Sequence, residues 1–144
     1  MAGMEGLGRV FNVVPAATGL YINMKDCSAV TFICTSANTD TFNVAEAKTS
    51  GGGSVQDMGA VISRYYSTTD TDGSVAWTKQ TQAAADEVAS VTTGSVVAIW
   101  ISGAMLDDGF DYVSCTASST GTVIAILHDL TVKRTPANLS LPGE

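Results

Sequence analysis

Charged side chains are scarce in this sequence. Asp, Glu, Lys and Arg make up 15% of its 144 residues, against roughly 25% in ordinary soluble domains. Bases are scarcer still, seven against fourteen acids, which gives a formal net charge of −7. Arg9, Lys25, Lys48, Arg64, Lys79, Lys133 and Arg134 are scattered, with only the last two adjacent. Counterion release on a phosphate backbone requires clustered cations, so direct nucleic-acid binding is disfavoured. No apolar run approaches the roughly 20 residues of a membrane-spanning helix. The longest strongly apolar one, Val96–Ile101, has the length of a strand. Residues 1–9 lack a basic stretch followed by an apolar one, so no secretory leader is expected. Cysteine is limited to Cys27, Cys34 and Cys115, an odd number without CxxC spacing. These are expected as buried, reduced thiols in a protein made in a reducing cytoplasm.

Against these absences stand a 45% hydrophobic content and a mean hydropathy of +0.22, enough for a packed core. The length suits one domain. With so few charges, the surface must rely on Ser and Thr for solubility or be covered by partners, which is the pattern of an assembly subunit. The acidic balance keeps such a subunit soluble before it assembles.

The local pattern is β almost throughout. Gly19–Asn23 reads as a first short strand. Ala29–Thr35 is a second, with Val30, Phe32 and Cys34 on one face. Thr41–Glu46 alternates cleanly and places Phe42 and Val44 inward. Ser50–Ser54 is a glycine-rich connector without the Lys-Ser/Thr of a phosphate loop. Val61–Tyr66 and Ser74–Thr78 flank Thr68–Gly73 as a hairpin. Gln82–Val88, with its Ala run, is the only stretch resembling a helical turn. Ser95–Ile101 reads as a central strand buried on both faces, which makes Trp100 a core residue. Turns at Asp107–Gly109 and Ser118–Gly121 lead into Phe110–Cys115 and Thr122–His128. Leu130–Lys133 extends the last of these or adds a strand, and Pro136 stops it. About eight short strands separated by Gly, Asp and Ser turns predict an all-β, single-domain antiparallel sandwich or barrel over residues 19–135. Residues 1–18, rich in Gly and Ala, read as an extended N-terminal arm, and residues 136–144 as a C-terminal tail.

Reactive constellations do not converge. His128 is the only histidine and precedes Asp129. Neighbours in a strand point to opposite faces, so the two are expected apart. Cys34 and Cys115 lie within apolar strands and read as inert. Thr68–Gly73 superficially resembles a calcium loop, but Lys79 stands where the closing bidentate Glu belongs. Asp70, Asp72, Asp107, Asp108 and Asp111 fit turn chemistry instead. No catalytic, cofactor-binding or metal-ligating residue is assigned, and the chain is not expected to be an enzyme. Tyr65 and Tyr66 place one ring on each face of their strand, so one of them is an interface candidate. With the apolar and basic residues of the arm (Arg9, Val10, Phe11, Val13, Val14) and of the tail (Leu139, Leu141), they make up the candidate partner-binding set.

Three stretches together resemble small virion proteins of tailed bacteriophages. They are Gly19–Phe32, then Ile62–Tyr66 followed by Trp77–Ala83, then Asp108–Val113 with Ala125–Leu139. The resemblance implies a head-associated capsid decoration protein on the virion surface, made in the bacterial cytoplasm. Its implied partners are the major capsid protein and further copies of itself, with no direct nucleic-acid or membrane contact. A tail-tube, head-completion or connector subunit is the nearest alternative, and a carbohydrate-binding adhesive module a more distant one.

Overall fold

The computed structural model of the chain describes residues 13–16 and 19–131. Arg9, Val10, Phe11, Leu139 and Leu141, with Pro136 and the last strand's extension past Thr131, lie outside the described residues. The described residues form eleven strands in two antiparallel sheets packed face to face, so the architecture is a sandwich.

The first sheet contains β1 (Val13–Pro15), β3 (Cys27–Thr35), β6 (Ile62–Thr68), β7 (Thr78–Ala85), β9 (Val96–Ser102) and β11 (Thr122–Leu130), in the order β1-β11-β3-β9-β6-β7. The second contains β2 (Ile22–Asn23), β10 (Tyr112–Ala117), β4 (Asp40–Ala47) and β5 (Gln56–Asp57) in that order, with β8 (Glu87–Val91) also paired to β4. A short 3-10 turn, Gly103–Met105, follows β9, and the Ser102 hydroxyl caps it by accepting from Ala104 N–H.

Alternation dictates the core. Val30, Phe32 and Cys34 of β3 point inward, as do Val97, Ile99 and Ile101 of β9 and Val123, Ala125 and Leu127 of β11. From the other sheet they meet Phe42 and Val44 of β4, Val88 of β8, and Val113 and Cys115 of β10. Full burial of a side chain of this kind contributes about 1.5–3 kcal/mol, and most of these residues have no exposed surface at all. One glycine is required by this packing. A Cβ at Gly121 would lie 2.9 Å from Phe42 Cζ and 3.0 Å from Ala117 Cβ.

Two buried carboxylates tie the loops to the body from opposite ends of β4. Asp40 accepts from Ser36 Oγ at 2.8 Å and from Ser119 N–H at 2.7 Å. Glu46 accepts from Gln56 Nε2 at 2.6 Å and from Asp107 N–H at 2.9 Å. Buried charge is tolerated where its oxygens are hydrogen-bonded, and among the described residues no buried side-chain N or O lacks a partner.

Several expectations are corrected. There are eleven strands among the described residues rather than about eight, because β1 and β5 are too short to stand out as patterns and β8 begins within the stretch expected as a helical turn. Gly19–Asn23 contributes only Ile22 and Asn23 to a strand. Gln82–Val88 is not helical: residues 82–85 end β7 and residues 87–88 begin β8. Pairing of Ile62 with Ala85 and of Phe42 with Val88 overrides the helical propensity of the alanines. The hairpin's return strand starts at Thr78 rather than Ser74. β9 is buried on one face only.

Candidate functional site

The outer face of the six-stranded sheet follows from strand register. Pro15 pairs with Ile124, Ile124 with Ile33, Ile33 with Ala98, Ala98 with Tyr66, and Tyr66 with Lys79. One row of residues thus crosses all six strands on the side away from the core. A second row runs Val13, Ile126, Thr31, Trp100. Val13, Ile124, Trp100 and Tyr66 are 42, 39, 45 and 49% exposed. Val13 and Ile124 are diagonal neighbours near one margin and Trp100 and Tyr66 near the other, with half-buried Ile126, Ile33 and Thr31 between them, and large exposed apolar patches mark interaction sites.

Charge is distributed unevenly across this face. Exposed Arg64 and Lys79 stand on β6 and β7 at one margin, and neither is ion-paired among the described residues. The only carboxylate in the strands of this sheet, Asp129, stands on β11 toward the other margin. Between Arg64, Tyr66, Ala98 and Trp100 lies a shallow groove of about 120 Å³. That is well below the roughly 300 Å³ or more of a small-molecule pocket. This groove is therefore too small to enclose a drug-sized ligand.

The sequence-selected residues divide accordingly. Tyr66 lies on the outer face, while Tyr65 is half-buried against the core and opposite Gln80. Val13 also lies on the outer face, and Val14, paired with Ala125, turns toward the core. Of the stretch read as an arm, Val13–Pro15 are hydrogen-bonded into the sheet as β1. Trp100, expected in the core, is instead the centre of the exposed face. The apolar run 96–101 supplies a buried face through Val97, Ile99 and Ile101 and a solvent face through Ala98 and Trp100. Ile33, Ile124 and Ile126 were not selected either, because an apolar residue at an outward position carries nothing in the sequence that separates an accessible face from a covered one. The usable signal was an aromatic residue at an outward register position.

His128 and Asp129 are likewise brought together, contrary to expectation. Asp129 takes a φ of 52°, which breaks the strand alternation and turns its carboxylate beside the imidazole. Asp129 Oδ2 lies 2.8 Å from His128 Nδ1, and Thr31 Oγ1 lies 2.9 Å from Nε2. Hydroxyl, imidazole and carboxylate are thus in line, as in an acyl-transfer triad. Thr31 is paired on both sides, with Ile126 and Trp100, whereas His128 is paired on the β3 side, with Ala29, and β1 reaches only as far as Ile126 among the described residues. The two contacts hold the imidazole between Thr31 on β3 and the left-handed turn at Asp129.

Buried groups elsewhere are quiet. Cys34 and Cys115, from opposite sheets, bring their sulfurs to 3.9 Å as free thiols. The contact with Cys115 and burial push the Cys34 thiol well above its ordinary range. Burial, with help from the Asp26 charge, pushes Cys27 up to about 11. Such thiols are poor nucleophiles at neutral pH. In the hairpin loop Asp70 accepts from Gly73 N–H and Ser74 Oγ, and Asp72 accepts from Ser74 N–H, which is turn chemistry. Those bonds hold the Asp72 carboxyl below its usual range. No protein-family model, curated protein or solved structure matches the chain.

Proposed function

We propose that this chain is a bacteriophage capsid decoration protein, binding the outside of the head through the major capsid protein and stabilising the capsid lattice. The observation that carries this reading is the way the chain's two end segments join the body. β1 and β11 are antiparallel neighbours at one margin of the six-stranded sheet, with Val13 opposite Ile126 and Pro15 opposite Ile124. Residues before Val13 and after Thr131 therefore join a rigid sandwich at the same corner. A sandwich whose two end strands lie side by side at one margin suits a protein that bridges neighbouring capsomers. Contacts that are weak singly become strong when repeated over a lattice. A ligand that binds only the expanded shell stabilises it by mass action. The virion resemblance of residues 19–139 supports the same reading, as does the wide apolar face, which needs no bound cofactor to act.

The test is co-sedimentation of purified protein with expanded, undecorated heads. The full chain is expected to bind in hundreds of copies per head by cryo-EM. A chain beginning at Val13 keeps β1 and should fold, but is expected to lose binding by roughly 10²-fold or more as the linked contacts are removed. Undiminished binding by the shortened chain would refute the role of the first twelve residues. Copies in a single ring of six or twelve would instead identify a connector or completion subunit.

A further inference from the structure

We propose that the outer face of the six-stranded sheet is the interface of a two-fold dimer of this chain, formed by stacking that face on its counterpart in a second copy. The inference goes beyond capsid decoration and does not depend on it.

Self-association through this face follows from its two rows of apolar residues. No other sheet surface in the described chain offers the same density of exposed apolar side chains in register. With strands about 4.8 Å apart and residues about 3.3 Å apart along them, the face covers roughly 600 Å². Two copies then bury roughly 1,200 Å², the low end for specific complexes. The expected dimer is therefore reversible rather than obligate. Sheets stack about 10 Å apart with strands nearly aligned, close enough for Trp100 and Tyr66 to reach the opposing copy.

Charge selects the symmetry axis. An axis perpendicular to the strands would lay β6 and β7 over the same strands of the second copy, placing Arg64 and Lys79 against Arg64 and Lys79. An axis parallel to the strands lays β6 over β11, β9 over β3, and β7 over β1, as the strand order requires. Trp100 then lies over Thr31 of β3, with Ile126 and Ile33 as its diagonal neighbours, and Tyr66 lies over Ile124 of β11. Arg64 is carried toward the margin bearing Asp129, which is 69% exposed. Like charges separate, Arg64 is brought over β11 three residues along from Asp129, and the closed two-fold uses up the sticky face instead of propagating it into fibres.

Sedimentation equilibrium of the full chain from roughly 1 to 500 µM tests this, since it brackets the affinities typical of small interfaces. A monomer–dimer equilibrium is expected. Trp100→Glu should weaken dimerisation by roughly 30-fold or more, because buried aromatic anchors dominate such contacts. Val55→Glu, an exposed apolar site outside this sheet, should leave it unchanged. Arg64→Glu should weaken the dimer about 5-fold, and the charge exchange Arg64→Glu with Asp129→Arg should recover most of that loss. Should Trp100→Glu fail to fold by circular dichroism, Ile124→Lys carries the same expectation. The proposal is overturned if the wild-type chain stays monomeric throughout, or if it associates equally well with Trp100 or Ile124 replaced. It is also overturned if dimers appear only when residues 1–12 are removed, which would mean the chain's own first segment covers the face. Each result is read without heads present, so loss of the dimer leaves head binding standing, and loss of head binding leaves the dimer standing.

Discussion

The two sheets share one core but turn unlike surfaces outward. The strands of the six-stranded sheet carry Arg64, Lys79 and a single carboxylate, Asp129, among Val13, Ile33, Trp100, Tyr66, Ile124 and Ile126. The strands of the five-stranded sheet carry no Lys or Arg and four carboxylates. Asp40 and Glu46 are buried, while Asp57 and Glu87 lie in register with Ala45 and Asn43 on the outer side. Thr116, in register with Asn43, adds to that polar face, while Ser114 beside Ala45 is covered. Net charge therefore says little about either surface alone. Most of the acidic excess lies away from the six-stranded sheet, which keeps that sheet free of the repulsion that would oppose close contact.

If the inner faces are equivalent while the outer faces differ, truncating one core ring from each sheet should cost alike. Phe32→Ala and Phe42→Ala are each expected to destabilise the fold by about 3–5 kcal/mol, measured by urea denaturation. A much smaller cost for either would show that its sheet contributes less to the core than burial indicates.

A second difference concerns alkaline pH. Cys27, on β3, has a folded pKa of about 11, raised above its ordinary 9.0. A raised thiol pKa means the folded state holds its proton where the unfolded chain releases it. The associated stability is complete below about pH 9 and is lost as pH rises toward about 11. Cys27→Ala is expected to flatten the decline between those values relative to wild type, and an unchanged slope would contradict the burial of that thiol.

The smallest effects should fall on the outer faces. Ile124→Thr and Glu87→Lys should each change stability by no more than about 0.5 kcal/mol, as surface substitutions do. They should separate in binding of a hydrophobic dye such as ANS to the monomer. Ile124→Thr should lower it and Glu87→Lys should not. Equal responses would dissolve the contrast between the faces.

Much of this was legible from residue order. Alternation in 29–35 and 41–46 gave the inward set of β3 and β4 correctly, because one side of each strand is apolar and the other is polar or mixed. The candidate surface was harder to see. In Val96–Ile101 and Thr122–Leu127 the outward positions are also largely apolar, and pattern alone cannot tell a doubly buried strand from one with a sticky outer side. Only pairing with β6 and β1, distant in sequence, shows which it is. His128 and Asp129 were missed because one left-handed residue undoes the alternation, and Asp is among the residues that tolerate that geometry. The helix expected near Ala83–Ala85 was a propensity estimate that cross-strand partners overruled.

Between β7, which ends at Ala85, and β8, which starts at Glu87, the chain passes from one sheet to the other through the single residue Asp86. Its carbonyl accepts from Val44 N–H at 2.8 Å, and its carboxylate accepts from Asn43 Nδ2 at 3.3 Å. A connection one residue long leaves no slack. Tension applied to an edge of one layer passes directly into the covalent frame of the other, so the body should yield as a single block rather than by sliding apart. In the proposed role on a capsid, that stiffness would set how much strain the subunit can share before its own fold gives way.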